Sequence, residues 1–130
     1  MKTIKVKILI AVVLICSVSF ALVGCGKQSD TIDMIKMNSQ MAEAQALSIN
    51  ETPKNYVGKT ILAEGRYNTN HGVNYIYIKC VSCPLDVPLR IEYTSYPSLD
   101  KKIKIEGVFK KHDSGSYYYI EVSSLTTIGG

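Results

Sequence analysis

Val73-Asn74-Tyr75-Ile76-Tyr77-Ile78-Lys79-Cys80 alternates along its whole length, with Tyr75, Tyr77 and Lys79 on one side and Ile76, Ile78 and Cys80 on the other. Successive side chains of a strand point to opposite faces, so a period of two predicts a β-strand over 73–80 with one face on a core. The next run, Val87 to Tyr93, follows the same rule, with Val87, Leu89 and Ile91 opposite Pro88, Arg90 and Glu92. Strands with a single apolar face assemble as antiparallel sheet over one core. Pro88 has no N–H to give to a ladder, which places it on an edge or at a strand's start.

Upstream, Lys59 to Tyr67 reads as a strand interrupted by Gly65, and a glycine inside a strand marks a bend or bulge through which one strand serves two sheets. Asn68 to Gly72 is a loop by composition. Before it, Thr52-Pro53 has the form of an N-cap followed by proline in a first helical turn, which Gly58 closes. Downstream, Thr94 to Asp100 is a short connector containing Pro97. Lys102 to Lys111 and Ser116 to Ile128 then form a strand pair across the turn His112-Asp113-Ser114-Gly115. Five strands, a bend in the first and a non-hairpin connection between the third and fourth predict an all-β chain, a five-stranded OB-fold-like antiparallel barrel over residues 52–130.

The residues that open and close this pattern resemble a known family. Asn55-Tyr56-Val57-Gly58-Lys59-Thr60, Glu64-Gly65 and Lys104-Ile105-Glu106-Gly107-Val108-Phe109 are similar to the corresponding stretches of small OB-fold lipoproteins of low-GC Gram-positive bacteria. The resemblance covers about Thr52 to Ile128 and implies the fold rather than an activity. A departure lies between the third and fourth strands, where OB-folds often carry a helix and this chain has seven residues with a proline.

The N-terminus has a different character. Lys2, Lys5 and Lys7 precede an almost uninterrupted apolar run of sixteen residues from Ile8 to Val23, shorter than the roughly 20 a membrane-spanning helix needs. That layout is a secretory signal peptide over 1–24, and Leu22-Val23-Gly24-Cys25 resembles a lipobox. The resemblance implies cleavage before Cys25 and a diacylglycerol with palmitate-type chains on its thiol, so that the chain attaches to the extracytoplasmic face of the cell membrane by lipid. Buried acyl chain contributes about 0.8 kcal/mol per CH₂, and two chains suffice for stable anchoring. Residues 25–51 are polar and without aromatic side chains, the composition of a tether. Within it Met34, Met37, Met41 and Ala44 or Ala46 approach helical spacing, which predicts a loose helix over Ile32 to Ala46 that lies on the barrel.

Charge narrows the function classes. Three of the fifteen basic residues precede Cys25, leaving twelve against eleven acidic ones. Beyond Lys54 the basic and acidic residues are interspersed, which is not a phosphate-binding stripe and disfavours nucleic acid. Lys101, Lys102, Lys104, Lys110 and Lys111 gather around one strand, where lysines serve to discourage edge pairing. No Ser-His-Asp order, acidic dyad or phosphate-cradling glycine loop occurs, so a non-catalytic chain is expected.

Two groups of residues carry chemistry. Tyr75, Tyr77 and Lys79, beside Arg90 on the next strand, compose a face of the kind that binds oligosaccharide or oligonucleotide in OB-folds. The plain alternative is that tyrosines are good strand residues, with ring buried and hydroxyl wet. The second group is Cys80-Val81-Ser82-Cys83-Pro84, which admits a structural disulfide, a redox pair or half of a zinc site. A redox pair calls for a helix N-terminus that is not expected here. For zinc, His71 lies at the other end of the strand from Cys80, roughly 25–30 Å away at about 3.3 Å per residue, against metal bonds of about 2.0–2.3 Å. Asp86 is the nearest further ligand in sequence. The leading expectation is a lipid-anchored binding module for a cell-envelope protein or polysaccharide, with no cofactor beyond the lipid on Cys25. The alternative is a thiol- or metal-handling protein acting through Cys80 and Cys83.

Overall fold

The computed structural model describes residues 30–129; the signal peptide and Cys25 lie outside them. The elements run β1 (Thr31–Asp33), α1 (Ser39–Glu51), a 3₁₀ turn (Pro53–Tyr56), β2 (Thr60–Asn70), β3 (Val73–Ile78), β4 (Val87–Glu92), β5 (Lys102–Lys111) and β6 (Tyr118–Thr127). The described residues are therefore mostly β, as the period-two runs predict, with one α-helix among them.

The sheet has six strands and is mixed, where five antiparallel strands were expected. Its order is β1-β2-β3-β4-β6-β5, and a further pairing of β2 with β5 closes the last five strands into a ring. Two of the pairings are parallel. β1 lies along Thr60 to Leu62 of β2, and β4 meets β6 through Ile91 with Ile120 and Glu92 with Glu121. Each parallel pair joins strands separated by a long crossover, which parallel pairing requires and a tight hairpin forbids.

β2 holds the ring together. Thr60 to Arg66 pair with β5, and Arg66 to Asn70 pair with β3, so the strand changes partner beside Gly65. The expected bend is present, and its cause is close approach: a Cβ on Gly65 would strike the Tyr77 carbonyl oxygen. Asn68 to Asn70, expected in a loop, extend the ladder instead. The turn shrinks to His71-Gly72, whose φ angles of 51° and 77° are both positive. That is the conformation of a two-residue hairpin turn whose twist matches its strands, and it leaves the three preceding residues free to pair. A bulge falls between Glu106 and Gly107 on β5, where it faces β6.

The interior is dominated by isoleucine. Ile61, Ile76, Ile91, Ile103, Ile105 and Ile120 are fully buried from five strands, and Ile49 joins them from α1. Each such side chain contributes about 1.5–3 kcal/mol on burial.

The segment before the ring is more ordered than a tether. The helix spans Ser39–Glu51 rather than Ile32 to Ala46, because Asn38 caps it, its side-chain oxygen accepting the Met41 N–H at 2.9 Å. Glu43, Ala46 and Ile49 are the buried residues of α1, a stripe at i, i+3, i+6. Met34 is buried ahead of the helix, where its N–H donates to the Leu62 carbonyl at 2.9 Å, while Met41 is exposed. The methionines therefore do not compose one helical face. Thr52 differs from expectation as well. It ends α1, its hydroxyl donating to the Ser48 carbonyl at 3.0 Å, and makes no side-chain cap for the 3₁₀ turn that Pro53 begins.

Candidate functional site

The outward faces of β3 and β4 carry a row of rings and cations. Tyr75 and Tyr77, two apart on β3, stand with ring centroids 5.9 Å apart. Register places Arg66 of β2 and Pro88 of β4 beside Tyr77, and Arg90 beside Tyr75. The Arg66 guanidinium lies over the Tyr77 ring at 5.4 Å, and Arg90 lies over Tyr117 at 3.5 Å. Cations are attracted to the negative faces of aromatic rings, so each arginine also fixes the ring it covers.

Two hollows meet along this row. The first, of about 540 Å³, is lined by Arg66, Asn70, Tyr75, Tyr77, Pro84, Leu85, Asp86 and Pro88. The second, of about 340 Å³, continues past Tyr75 and Pro88 to Arg90, Phe109, Tyr117 and Tyr118, with Ile49, Asn50 and Pro53 of the helical segment as its far wall. Tyr75 and Pro88 line both, so the two form one groove across the β3–β4 face. Asn50 on that wall is held in place, its amide donating to the Pro88 carbonyl at 2.9 Å.

Arg90 Nε is buried in this groove and has no hydrogen-bond partner among the described residues. Such a group costs free energy unless something accepts from it, and the guanidinium is held in place by its stack on Tyr117. Arg66 is committed elsewhere, paired with Asp100 at 2.6 Å, and Asn68 donates to the same carboxylate at 2.7 Å. Across from Arg90, the Tyr117 hydroxyl donates to Glu92 at 3.4 Å. Burial, followed by the Glu92 carboxylate, pushes the Tyr117 phenol up from its usual range, so it remains a protonated donor.

Three of the four residues expected on this face, Tyr75, Tyr77 and Arg90, line the groove. Lys79 does not. β3 ends at Ile78, and the exposed Lys79 borders a separate hollow with Met34, Met37, Ala42 and Lys102. Alternation places it with the tyrosines only while the strand continues. The lysines of β5 are partly neutralised by ion pairs, Lys102 with Glu64 and Lys110 with Glu121, each at 2.9 Å.

Cys80 and Cys83 are joined as a disulfide, their Cα atoms 5.3 Å apart. Cys80 is buried and Cys83 half-buried, and the Cys80 N–H donates to Asp86 Oδ1 at 3.2 Å. The residue that the sequence did not reveal is Glu43. Its side chain reaches the loop from α1, where Oε2 accepts the Val81 N–H at 2.8 Å and Oε1 accepts the Ser82 hydroxyl. Glu43 Oε1 is also 3.9 Å from Cys83 Sγ. The Ser82 hydroxyl, then the Val81 N–H, hold the Glu43 carboxyl below its usual range against the opposing effect of burial. Neither His71 nor His112 joins this group. His112 instead stacks on Tyr117 at 4.4 Å and shares a hydrogen bond with Ser114 at 2.9 Å. A signal for Glu43 did exist in the chain: an Asn38 cap fixes a helical register in which position 43 shares a face with Ala46 and Ile49.

No protein-family model matches the chain, and no curated protein matches it in sequence. Among solved structures it is similar to two of the asparaginyl-tRNA synthetase of Pyrococcus horikoshii, one of them complexed with asparaginyl-adenylate. Identity is 14% in both, with TM-scores of 0.35 and 0.34 over 55% of this chain. The matched part spans 19% and 20% of the synthetase chains, so the likeness says nothing of ligand or activity.

Proposed function

We propose that this chain is a lipid-anchored, extracytoplasmic binding module of the OB-fold type, without catalytic activity, whose ligand seat is the β3–β4 groove. The strand order supports the OB reading: a bent first strand pairs with both the second and the fourth strands of the ring, and the ring's third and fifth strands meet in parallel. The helix that OB-folds often place between the third and fourth ring strands is absent from 93–101, while α1 packs against β3 and β4 from the N-terminal side. Lipid attachment at Cys25 rests on the lipobox and basic N-terminus alone.

The observation that carries the ligand reading is the continuous row Tyr77, Tyr75, Arg90, with a buried guanidinium nitrogen beside Tyr75. Aromatic faces with a few convergent polar groups suit a ligand that is both flat and hydroxylated or amide-bearing, such as a wall polysaccharide or an envelope protein segment. Single-stranded nucleic acid would also stack. Asp86 in one hollow and Glu92 beside the other oppose its phosphates, however.

The test is a titration of the chain with soluble cell-wall oligosaccharides, followed by NMR of the tyrosine rings, with oligothymidylate as the comparison. Tyr75 and Tyr77 resonances are expected to move with the saccharide, and Tyr75→Ala is expected to weaken binding by about 1–3 kcal/mol, the scale of one lost stacking contact. Saccharide binding that survives Tyr75→Ala combined with Arg90→Ala at full strength would remove the groove as the seat. A stronger response to oligothymidylate would reassign the ligand class.

A further inference from the structure

The Cys80–Cys83 loop and α1 together place three anionic-type donors at one point. The ligating atoms of Glu43, Cys80 and Cys83 all lie within 4.8 Å of one another. We propose that they constitute a redox-gated site for a thiophilic divalent cation of the zinc type, shut while the disulfide stands and opened when a dithiol reduces it. In that step the external dithiol transfers two electrons and two protons to the Cys80–Cys83 bond and leaves as its own disulfide. When the cation binds, both thiols release their protons to solvent, and each sulfur forms one bond to the metal.

The donor set and the spacing both fit. Two thiolates and a carboxylate are ordinary zinc ligands, and three protein ligands leave a fourth tetrahedral position for water or a further ligand. Bonds of about 2.0–2.3 Å put tetrahedral donors roughly 3.3–3.8 Å apart, a separation that Cys80, Cys83 and Glu43 reach through small side-chain rotations. The two cysteine Cα atoms, 5.3 Å apart, need not separate far for their sulfurs to share an ion.

Electrostatics separates this site from a simple dithiol. After reduction without a cation, the sulfurs would lie beside the Glu43 carboxylate and close to Asp86, whose Oδ1 is bonded to the Cys80 N–H. Like charge opposes thiolate formation. A divalent cation reverses the sign of every one of these interactions, because the neighbours that repel a bare thiolate become ligands or supports of a bound metal. Asp86 and the Val81 N–H would then act as the outer shell that orients the loop, the role such groups take around metal ligands generally. Glu43 is buried and already aimed by Val81 and Ser82, so the metal would tie α1 to the loop where the disulfide now ties only the loop to itself. The site does not depend on what the β3–β4 groove binds.

The full chain in detergent, reduced by a phosphine and compared with its oxidised form, is titrated with Co²⁺ and then with Zn²⁺. One equivalent of Co²⁺ is expected to bind the reduced chain, with a thiolate-to-cobalt charge-transfer band and tetrahedral d–d bands that Zn²⁺ abolishes; the oxidised chain is expected to show neither. Glu43→Gln keeps an acceptor for the Val81 N–H and turns its amide N–H toward the Ser82 hydroxyl oxygen but offers a poor ligand, so it is expected to retain the charge-transfer band and lose at least about tenfold in affinity, the scale of damage at a metal site. Leu99→Ala, at an exposed position in the 93–101 connector that removes no ligand and no support of one, is expected to bind like the wild type. Absence of the band in the reduced chain, equal binding by the oxidised chain, or unchanged affinity in Glu43→Gln would each overturn the proposal. Far-UV circular dichroism covers loss of fold: a reduced chain that loses its β signal and does not regain it with metal overturns it too.

Discussion

At the residue scale, what the fold asks of a position is decided by its nearest backbone. Gly107 and Gly58 show this from opposite sides. A Cβ on Gly107 would meet the Glu121 carbonyl oxygen and Ile120 Cγ2 at distances real side chains do not adopt, whereas Gly58 has φ +89° but open space around it. Gly107→Ala is therefore expected to cost about 1–3 kcal/mol by forcing β5 and β6 apart. Gly58→Ala pays only left-handed strain of about 1 kcal/mol. Urea denaturation checks the order, and a Gly58 variant the more damaged of the two would contradict it. Glu43 gives a pH dependence. Its carboxyl is held below the ordinary value of 4.5, so the fold favours the ionised form. The stability this contributes is fully present above the unfolded pKa and is lost as pH falls through the folded one. The drop in urea midpoint from about pH 7 to about pH 3 should be smaller in Glu43→Gln than in wild type; equal drops would mean the carboxylate is not stabilised by the loop. Gly65 was legible as a bend because glycine is permissive anywhere in a strand. Glu43 was legible only by way of the Asn38 cap and the register it fixes, because a lone acid within a polar stretch does not by itself show that it faces inward.

At the element scale, α1 is the part whose character the composition hid. Its residues are mostly small or polar, yet it has two firm anchors: the Asn38 cap and Ile49, which is fully buried. Reading 25–51 by average polarity gives a tether, while the narrow stripe of Glu43, Ala46 and Ile49 is too slight to stand out against the four-residue spacing of Met37 and Met41. β-strands were easier, since an alternating run needs only four or five residues to declare itself. Their pairing was not, since neither the short β1 nor the parallel contact of β4 with β6 leaves a local mark. If α1 belongs to the core, Ile49→Ala should destabilise the chain by about 2–5 kcal/mol, as for an isoleucine inside the ring. Denaturant titration of Ile49→Ala beside Ile91→Ala decides this. A loss below about 0.5 kcal/mol in the helix variant, typical of a surface position, would return α1 to the status of a detachable arm.

At the scale of the whole molecule, the ordered fold begins so early that it constrains how the chain can sit at a membrane. β1 starts at Thr31, six residues after Cys25. At most about 3.3–3.6 Å per residue separates them, so the ring would stand within roughly 20 Å of a lipid held at Cys25. A spacer running to residue 51 would have allowed several times that distance. Under the proposed lipidation, the near-neutral balance of twelve basic and eleven acidic residues from Cys25 onward adds little electrostatic attraction of its own, and the acyl chains would supply the binding energy. Cys25→Ser is therefore expected to move the chain from the membrane fraction to the supernatant on ultracentrifugation of lysed cells. Because position 25 precedes every strand among the described residues, the unfolding free energy of the variant in urea should match that of the wild-type chain freed in detergent to within about 0.5 kcal/mol. A variant that still sediments with membranes would show that something other than the lipid holds it there. Release together with loss of fold would mean that the anchor and the ring are not the separable units their sequence positions make them.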